Sequence, residues 1–178
     1  LVSLNRLHPL QESNLEEAHI IGDAMARAIT RQRLHKQLTL RDERYAYALE
    51  ASRDGLWDWN LDTQELHFSK SYMRMLGYEP GELPHDFDTF SNILVYPDDA
   101  AFVFNVSNEA YKSRDGVISC EFRMQHKSGK IVWIYSRAKF VDHDEDGLPH
   151  RCVGTNADIT RFKDTQSELR QAKVEAIA

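Results

Sequence analysis

Residues 55–61 read Gly-Leu-Trp-Asp-Trp-Asn-Leu (GLWDWNL), and this stretch decides the fold. It is short, aromatic and alternating. Trp57, Trp59 and Leu61 fall on one face and Asp58 and Asn60 on the other, the period of a half-buried β-strand. Asp62-Thr63-Gln64 makes a tight turn, and Leu66-His67-Phe68 reads as the hairpin partner. Ser69 then caps a short helix, SKSYMRML, which stops at Gly77, the residue type that most readily ends a helix.

Further along, a polar loop with Pro80, Gly81 and Pro84 leads to a second short helix around Phe87 to Leu94. Tyr96-Pro97-Asp98-Asp99 opens a longer helix, since proline suits the first helical position and the two carboxylates oppose the helix dipole. That helix runs to about Arg114 and ends at Asp115-Gly116. Three strands follow, Val117 to Lys127, Ile131 to Asp142 and His150 to Asp158, joined by turns at Ser128-Gly129 and Asp142 to Gly147. From Thr160 a polar helix without Gly or Pro runs to the end of the sequence. Two strands in front of the helices and three behind predict an α+β fold, a five-stranded antiparallel sheet with short helices on one face. A long N-terminal helix and a C-terminal exit helix flank it. Such a fold encloses a small cavity and has a receptor's shape more than an enzyme's.

The stretch before Asp54 has a different character. From Asn14 to about Ser52 there is no Pro and only Gly22, with many good helix formers. Asn14 suits an N-cap and Glu17 completes a capping box. The apolar face starts as Ile21, Met25, Ala28 and Ile29 and shifts to Leu34, Leu38 and Tyr45, so one heptad register does not hold throughout. Packing of the first half on a preceding domain and of the second half on a partner helix accounts for the shift. A solvated connector with some apolar decoration is the other reading.

Hydrophobic residues at 42% and charged residues at 28% are enough for a core without staples. The net charge of -6 argues against a nucleic-acid partner. No apolar run approaches the roughly 18–20 residues that span a bilayer, so no direct membrane insertion is expected. The N-terminal residues do not read as a signal peptide, and none is expected. The two cysteines, Cys120 and Cys152, have no metal-type or disulfide-framework spacing and are expected as reduced thiols, which places the module in the cytoplasm whether or not its parent is membrane-anchored. The chain begins at Leu1 rather than Met and is expected to be part of something longer.

From about Tyr45 to Arg161 the sequence resembles a PAS domain of the subtype that opens with a Trp-Asp-Trp strand. The pieces that carry the resemblance are GLWDWNL (55–61), the helix ending MLGY (75–78) and YPDD (96–99), then CEFRMQHKSGKIVWI (120–134), DEDGLPHRCVGTNADIT (144–160) and RFKD (161–164). It implies a helical linker at 1–44, a PAS domain at 45–160 and a signalling helix at 161–178. His19 to Arg33 resembles the closing helix of a GAF domain, and SELRQAKVEAIA (167–178) resembles the linker before the phosphoacceptor helix of sensor histidine kinases, though diguanylate cyclase proteins use similar tails. The resemblance implies a module that passes signals to a covalently linked output domain, kinase or cyclase, through flanking helices in a homodimer, with Leu34, Leu38 and Tyr45 at the dimer seam. Asp158-Ile159-Thr160 matches the family's motif joining the last strand to the exit helix. The Asp158 carboxylate is expected to accept first-turn N–H groups or to pair with Arg123 or Arg137. Where relatives usually carry His before Pro-Asp-Asp, this chain has Tyr96, so that helix start is expected to rest on backbone or acidic contacts.

Catalytic and cofactor chemistry is absent by residue inventory. The helix from Asp98 to Arg114 contains none of the eight histidines, so the axial ligand of a haem-sensing relative is missing. His67, His126, His143 and His150 fall on strands or turns. Flavin photosensors of the family need a helical Asn-Cys-Arg-type motif, and both cysteines fall on strands. The acidic run Asp142 to Gly147 imitates a calcium loop, but its twelfth position is Val153, not the bidentate Glu. No metal and no identified cofactor are expected. No nucleophile–base set sits in a motif, so the chain is expected not to be an enzyme.

The inner wall remains. Trp57, Trp59, Phe68, Met73, Leu76, Phe90, Phe102, Val106, Phe122 and Asn156 are the candidates for lining a cavity. Asn156 stands where the flavin photosensors place a Gln, as a pocket polar group or as an internally satisfied core amide. The small end of ligand-pocket size, about 300 Å³, is readily filled by two Trp side chains. A filled core and a pocket for an unidentified small molecule both stand. The leading reading is a sensory relay in a histidine kinase. The alternative is a small-molecule receptor domain of a diguanylate cyclase or phosphodiesterase protein.

Overall fold

The computed structural model describes residues 9–177, which fall into two compact units divided between Ala48 and Leu49. The first is the body of one helix, α1 (Pro9–Ser52). It already includes Asn14, which corrects the expected cap there. Proline is tolerated in a first turn, and nothing between Pro9 and Asn14 breaks a helix. Leu34, Leu38 and Tyr45 stand exposed on α1, as do Ile21, Met25 and Ile29.

The second unit is built on β1 (Gly55–Asn60), β2 (Leu66–Phe68), β3 (Val117–Gln125), β4 (Ile131–His143) and β5 (Pro149–Asp158). They form one antiparallel sheet in the order β2-β1-β5-β4-β3, with the first hairpin set against the last strand. Alternation writes the two faces: Ile118, Cys120, Phe122 and Met124 of β3 are buried, as are Val132, Ile134, Ser136, Ala138 and Phe140 of β4. Their neighbours Glu121, Arg123, Tyr135 and Arg137 lie on the other face. Over the buried face lie α2 (Lys70–Met75), α3 (Phe87–Thr89) with a π-helical turn (Phe90–Leu94), and a 3₁₀ turn (Pro97–Asp99) leading into α4 (Ala100–Lys112). The exit helix α5 (Thr160–Ile177) leaves from the end of β5.

Local chemistry explains the joints. Ser69 Oγ accepts from Tyr72 N–H at 3.2 Å and from Leu56 N–H at 3.0 Å, so one hydroxyl caps α2 and pins it to β1. Gly77, at φ 79°, closes α2 with Tyr78 N–H on the Met73 carbonyl at 2.9 Å, a Schellman ending. The single expected helix from Pro97 to Arg114 is instead a 3₁₀ turn followed by α4. Gly154 is required by approach, because a Cβ there would come within 2.6 Å of the Trp57 ring.

The Trp-Asp-Trp strand works on both faces. Trp57 and Trp59 turn inward, opposite Gly154 and Cys152 of β5. Asp58 turns outward, where Arg151 holds it by Nε at 2.8 Å and by Nη2. Beside this fork, His150 Nδ1 lies 2.8 Å from Asp62 Oδ1 and its Nε2 lies 3.7 Å from Asp144, so one imidazole bridges the β1–β2 and β4–β5 turns. The acidic β4–β5 run is thus a hairpin turn, with Asp144 Oδ1 also accepting from Asp146 N–H and Leu148 N–H.

Hydrogen bonding and charge from Asp62, then the charges of Asp144 and Asp142, raise the His150 pKa above its ordinary value near 6.5. A raised folded-state pKa stabilises the fold fully below about 6.5 and loses that contribution as pH rises through the folded value. Titration followed by NMR is expected to place the His150 midpoint above 6.5, and Asp62→Asn to bring it down. An unchanged midpoint in Asp62→Asn would refute the bridge.

Candidate functional site

Two neighbouring spaces that share part of their walls lie between the sheet and the helices. The inner one is a cavity of about 40 Å³ walled by β1, β5 and the middle of β3 and β4, with Tyr72, Phe87, Phe90, Val103 and Ser107 closing it. The outer one is a groove of about 240 Å³ between the π turn and α4, reached past Trp59, Phe87, Phe90, Val103, Ser107 and Phe140, which border both. Trp59 and Phe87 stack at 4.7 Å between centroids, 20° from parallel, and Phe90 tilts against Phe87 at 5.8 Å. The inner space is large enough for water or the end of a small molecule, and the groove for a ring or two.

Of the ten candidates, Trp57, Trp59, Phe68, Phe90, Phe122 and Asn156 line the inner cavity. Met73 and Leu76 are fully buried in the core without reaching that wall, where Tyr72 stands instead. Val106 packs against the core from the side. Phe102 is corrected: it is 48% exposed on the outer side of α4. The rotation of α4 explains the shift. Asp99 faces β3, and positions four and eight residues on, Val103 and Ser107, therefore face the sheet.

Strand parity was a usable signal for part of what was missed. Phe122 inward implies Cys120 and Ile118 inward, and Asn156 inward implies Cys152. On β4, Ser136 and Phe140 share the inward parity of Ile134, whereas the contributions of Tyr72 and Phe87 had no such mark.

Asn156 is both wall and satisfied core amide. Its Oδ1 accepts from Trp57 Nε1–H at 3.0 Å and its amide nitrogen faces Met124 Sδ at 3.8 Å, which Tyr72 Oη also approaches at 3.8 Å. Burial pushes the Tyr72 phenol far above its ordinary pKa, a shift that its Asn156 contact partly offsets. Burial likewise raises the Cys152 thiol to about 12, with Asp58 adding to the shift, and raises Cys120. No histidine is on the cavity wall, which carries Cys120 and Cys152 as protonated thiols.

The residues expected to relay a signal divide differently. The Asp158 carboxylate accepts from Thr160 N–H at 2.8 Å, and among the described residues it pairs with neither Arg123 nor Arg137. Arg137 lies over the Tyr135 ring at 5.6 Å. Arg123 is engaged at the start of α4: its backbone N–H and Nε donate to Asp99 Oδ2 at 2.7 and 3.0 Å, and Nη2 to Oδ1 at 2.5 Å. That bidentate contact holds the Asp99 carboxyl below its ordinary pKa. The same guanidinium sits 4.3 Å over the Tyr96 ring, so the residue in the usual histidine position serves as a platform rather than a cap. Tyr96 also donates its N–H to the Arg123 carbonyl at 2.9 Å.

The exit helix is tied to the neighbouring strand. Trp133 N–H donates to Thr160 Oγ1 at 2.9 Å and Ile159 N–H donates to the Trp133 carbonyl at 2.8 Å. Arg123 and Lys163 both approach the Trp133 ring, at 5.7 and 5.0 Å from its centroid, and Lys163 Nζ reaches Glu121 at 2.5 Å. A continuous set of contacts therefore runs from the first turn of α4, on the cavity wall, across β3 and β4 to the first turn of α5.

Comparison with known proteins agrees with this architecture. The sequence profile of the PAS fold family matches residues 65–156. The solved structure of a sensory box histidine kinase/response regulator from Burkholderia thailandensis E264 is 32% identical, covering 75% of this chain and 97% of that one, with a TM-score of 0.64. The N-terminal domain of a diguanylate cyclase with PAS/PAC sensor from Marinobacter aquaeolei shares the fold at 20% identity and a TM-score of 0.54, over 62% of this chain and 98% of that one. Sensor protein FixL of Bradyrhizobium diazoefficiens is 29% identical over 130 residues, 73% of this chain. The chain spans about a quarter of that curated relative, 25% of its length.

Asn156→Leu leaves the Trp57 indole N–H without its acceptor and is expected to lower stability by about 1–3 kcal/mol, measured by urea unfolding. A neutral result would mean that the indole finds another partner.

Proposed function

The chain belongs to the PAS fold family, and we propose that it is the sensory relay of a multidomain signal-transduction protein, a sensor histidine kinase in the leading reading. It carries a conformational bias to a covalently linked C-terminal output domain, where any catalysis resides. The observation that carries this reading is the tie of α5 to Trp133, with the Arg123–Asp99 pair at the start of α4 behind it. A change in the seating of α4 moves Asp99, hence Arg123, hence the ring against which the exit helix is fixed. Coupling of this kind needs a two-state element that both ends bias. Paired helices in a homodimer supply one, with Leu34, Leu38 and Tyr45 at the α1 seam. Phe162 and Leu169, seven residues apart and exposed on α5, supply a second contact line. The histidine kinase relatives support a linked output domain of that kind.

The proposed organisation is a connector at 1–44 that follows an upstream domain, a sensory core at 45–160 and a signalling helix at 161–178. No helix among the described residues is long and apolar enough to cross a membrane. A cytoplasmic position for the module, with the parent anchored or free, is part of this proposal.

A receptor role in a diguanylate cyclase or phosphodiesterase protein is the second reading. The apolar cavity and groove favour it, and it makes the ligand primary and the pairing of helices secondary.

Light scattering is expected to give twice the chain's 20.6 kDa mass at high protein concentration, and Leu34→Asp with Leu38→Asp to halve it. A monomer at every concentration would overturn the dimeric relay. Asp99→Asn is expected to speed amide exchange at Ile159 and Trp133 by about tenfold, as the support behind the exit helix loosens. Exchange unchanged there would break the proposed route from α4 to α5.

A further inference from the structure

β3 is an edge strand of the sheet, and only one end of its outer side is covered. At Arg123 the backbone faces outward: its carbonyl accepts from Tyr96 N–H at 2.9 Å and its N–H donates to Asp99 Oδ2 at 2.7 Å. Val95 forms an antiparallel bridge with Met124 on the same side, and Pro97 then turns the chain off the edge. Residues two apart in a strand present their backbone to the same side, so Val117, Ser119 and Glu121 also face outward. Among the described residues their outward N–H and C=O groups have no partner. The register with β4 runs from Val117 opposite Lys139 to Gln125 opposite Ile131 without a bulge, and no Pro or Lys lies in residues 117–121. Those are the usual devices that keep an edge from pairing, and this half of β3 lacks them.

The side chains around the open half set the chemistry of a partner. On α4, Phe104 and Tyr111 border the groove together with Trp59 and Phe140 of the inner sheet face. Phe102 and Val106 lie on the opposite flank of this helix, which runs beside β3, and so stand over the outer edge, with Phe102 exposed. An added strand would set every second side chain against this apolar shoulder. Its other side chains would share the outer face with Lys139 and Arg137, which stand opposite Val117 and Ser119 in the register. Both cations are exposed, and among the described residues neither has an ion-pair partner. The one acid of the stretch, Glu121, already holds Lys163 at 2.5 Å. Charge therefore favours an acid at the Val117 end of an incoming strand and disfavours one at the Glu121 end.

We infer that residues 117–121 of β3 accept an extended partner peptide as an added antiparallel strand, with alternating apolar side chains and an acid opposite Val117. The peptide continues the line that residues 95–96 of this chain begin on the same edge. Neither reading of the function uses the outer backbone of this strand, so the inference goes beyond both and its failure leaves both standing.

The test titrates acetyl-Thr-Val-Thr-Val-Glu-amide into the whole chain labelled with nitrogen-15. In the antiparallel register the two Thr and the Glu of this probe fall opposite Glu121, Ser119 and Val117 in turn. The amide signals of those three residues are expected to move downfield and to saturate. N-methylation of the middle Thr removes the N–H that would donate to the Ser119 carbonyl and is expected to abolish the shifts. Replacing the probe's Glu by Lys is expected to weaken binding about threefold, the scale of one exposed ion pair. Ser119→Pro, tolerated on an edge strand whose N–H faces outward, is expected to fold and not to bind. Ser119→Ala loses only the contact with the Tyr135 hydroxyl and is expected to bind as the unmodified chain does. Edge signals that do not move, equal binding of the N-methylated probe, binding as tight with Lys in place of Glu, or undiminished binding by Ser119→Pro would each overturn the inference. The first three of those readings need no variant to fold. Movement of the same three signals with protein concentration alone would put a second copy on the edge and overturn the peptide as its occupant.

Discussion

The arrangement depends on one charge-assisted contact, the Arg123–Asp99 fork. Asp99 lies at the junction of the 3₁₀ turn and α4, and three donors of a single β3 residue converge on its carboxylate. The fork fixes which side of α4 meets the sheet, because a residue and those four and eight positions on share a helix face. Val103 and Ser107 thereby become cavity wall and Phe102 becomes surface. The fork also holds the guanidinium between the Tyr96 and Trp133 rings, which brings the exit helix into the same set of contacts. One ion pair therefore constrains both the shape of the pocket and the anchorage of the exit helix.

Tyr96 acquires its role within that frame. A residue with a short acceptor could cap the helix directly, which a phenol cannot do. The helix start is instead held by Pro97 geometry, by the Asp99 fork and by an aromatic surface under the cation. The acidic contact expected at this start is present, but its partner is a side chain on β3, 24 residues away in sequence.

The cavity is a product of the Trp-Asp-Trp strand. Gly154 leaves space for the Trp57 ring to lie against β5, and Asn156 then satisfies its N–H. Trp59, one pleat along, has Cys152 opposite and stacks on Phe87. Two identical side chains thus receive different environments, one with its indole N–H paired and one with it buried and without an acceptor. Burial keeps both cysteines of this wall protonated.

The sequence by itself determined the strands, the turns and the order of helices. Each is written in a local signal: period-two alternation at Trp57 to Leu61, the Ser69 cap, Gly77 at positive φ, and Pro97 at a helix start. It also determined which strand residues point inward, so Phe122 and Asn156 could be placed on the wall before any contact was known. Tertiary structure alone decided the rotation of α4, the entry of Tyr72 and Phe87 into the wall, and the partner of Arg123. These depend on pairs far apart in the chain, and a single sequence carries the periodicity of a helix without the phase in which its neighbours will hold it. The same limit explains Asp158, whose carboxylate turns to the local N–H of Thr160 while the arginine expected beside it is held by Asp99. The Trp-Asp-Trp stretch announced two buried indoles, but only the packed sheet decided that one would have an acceptor and the other would not.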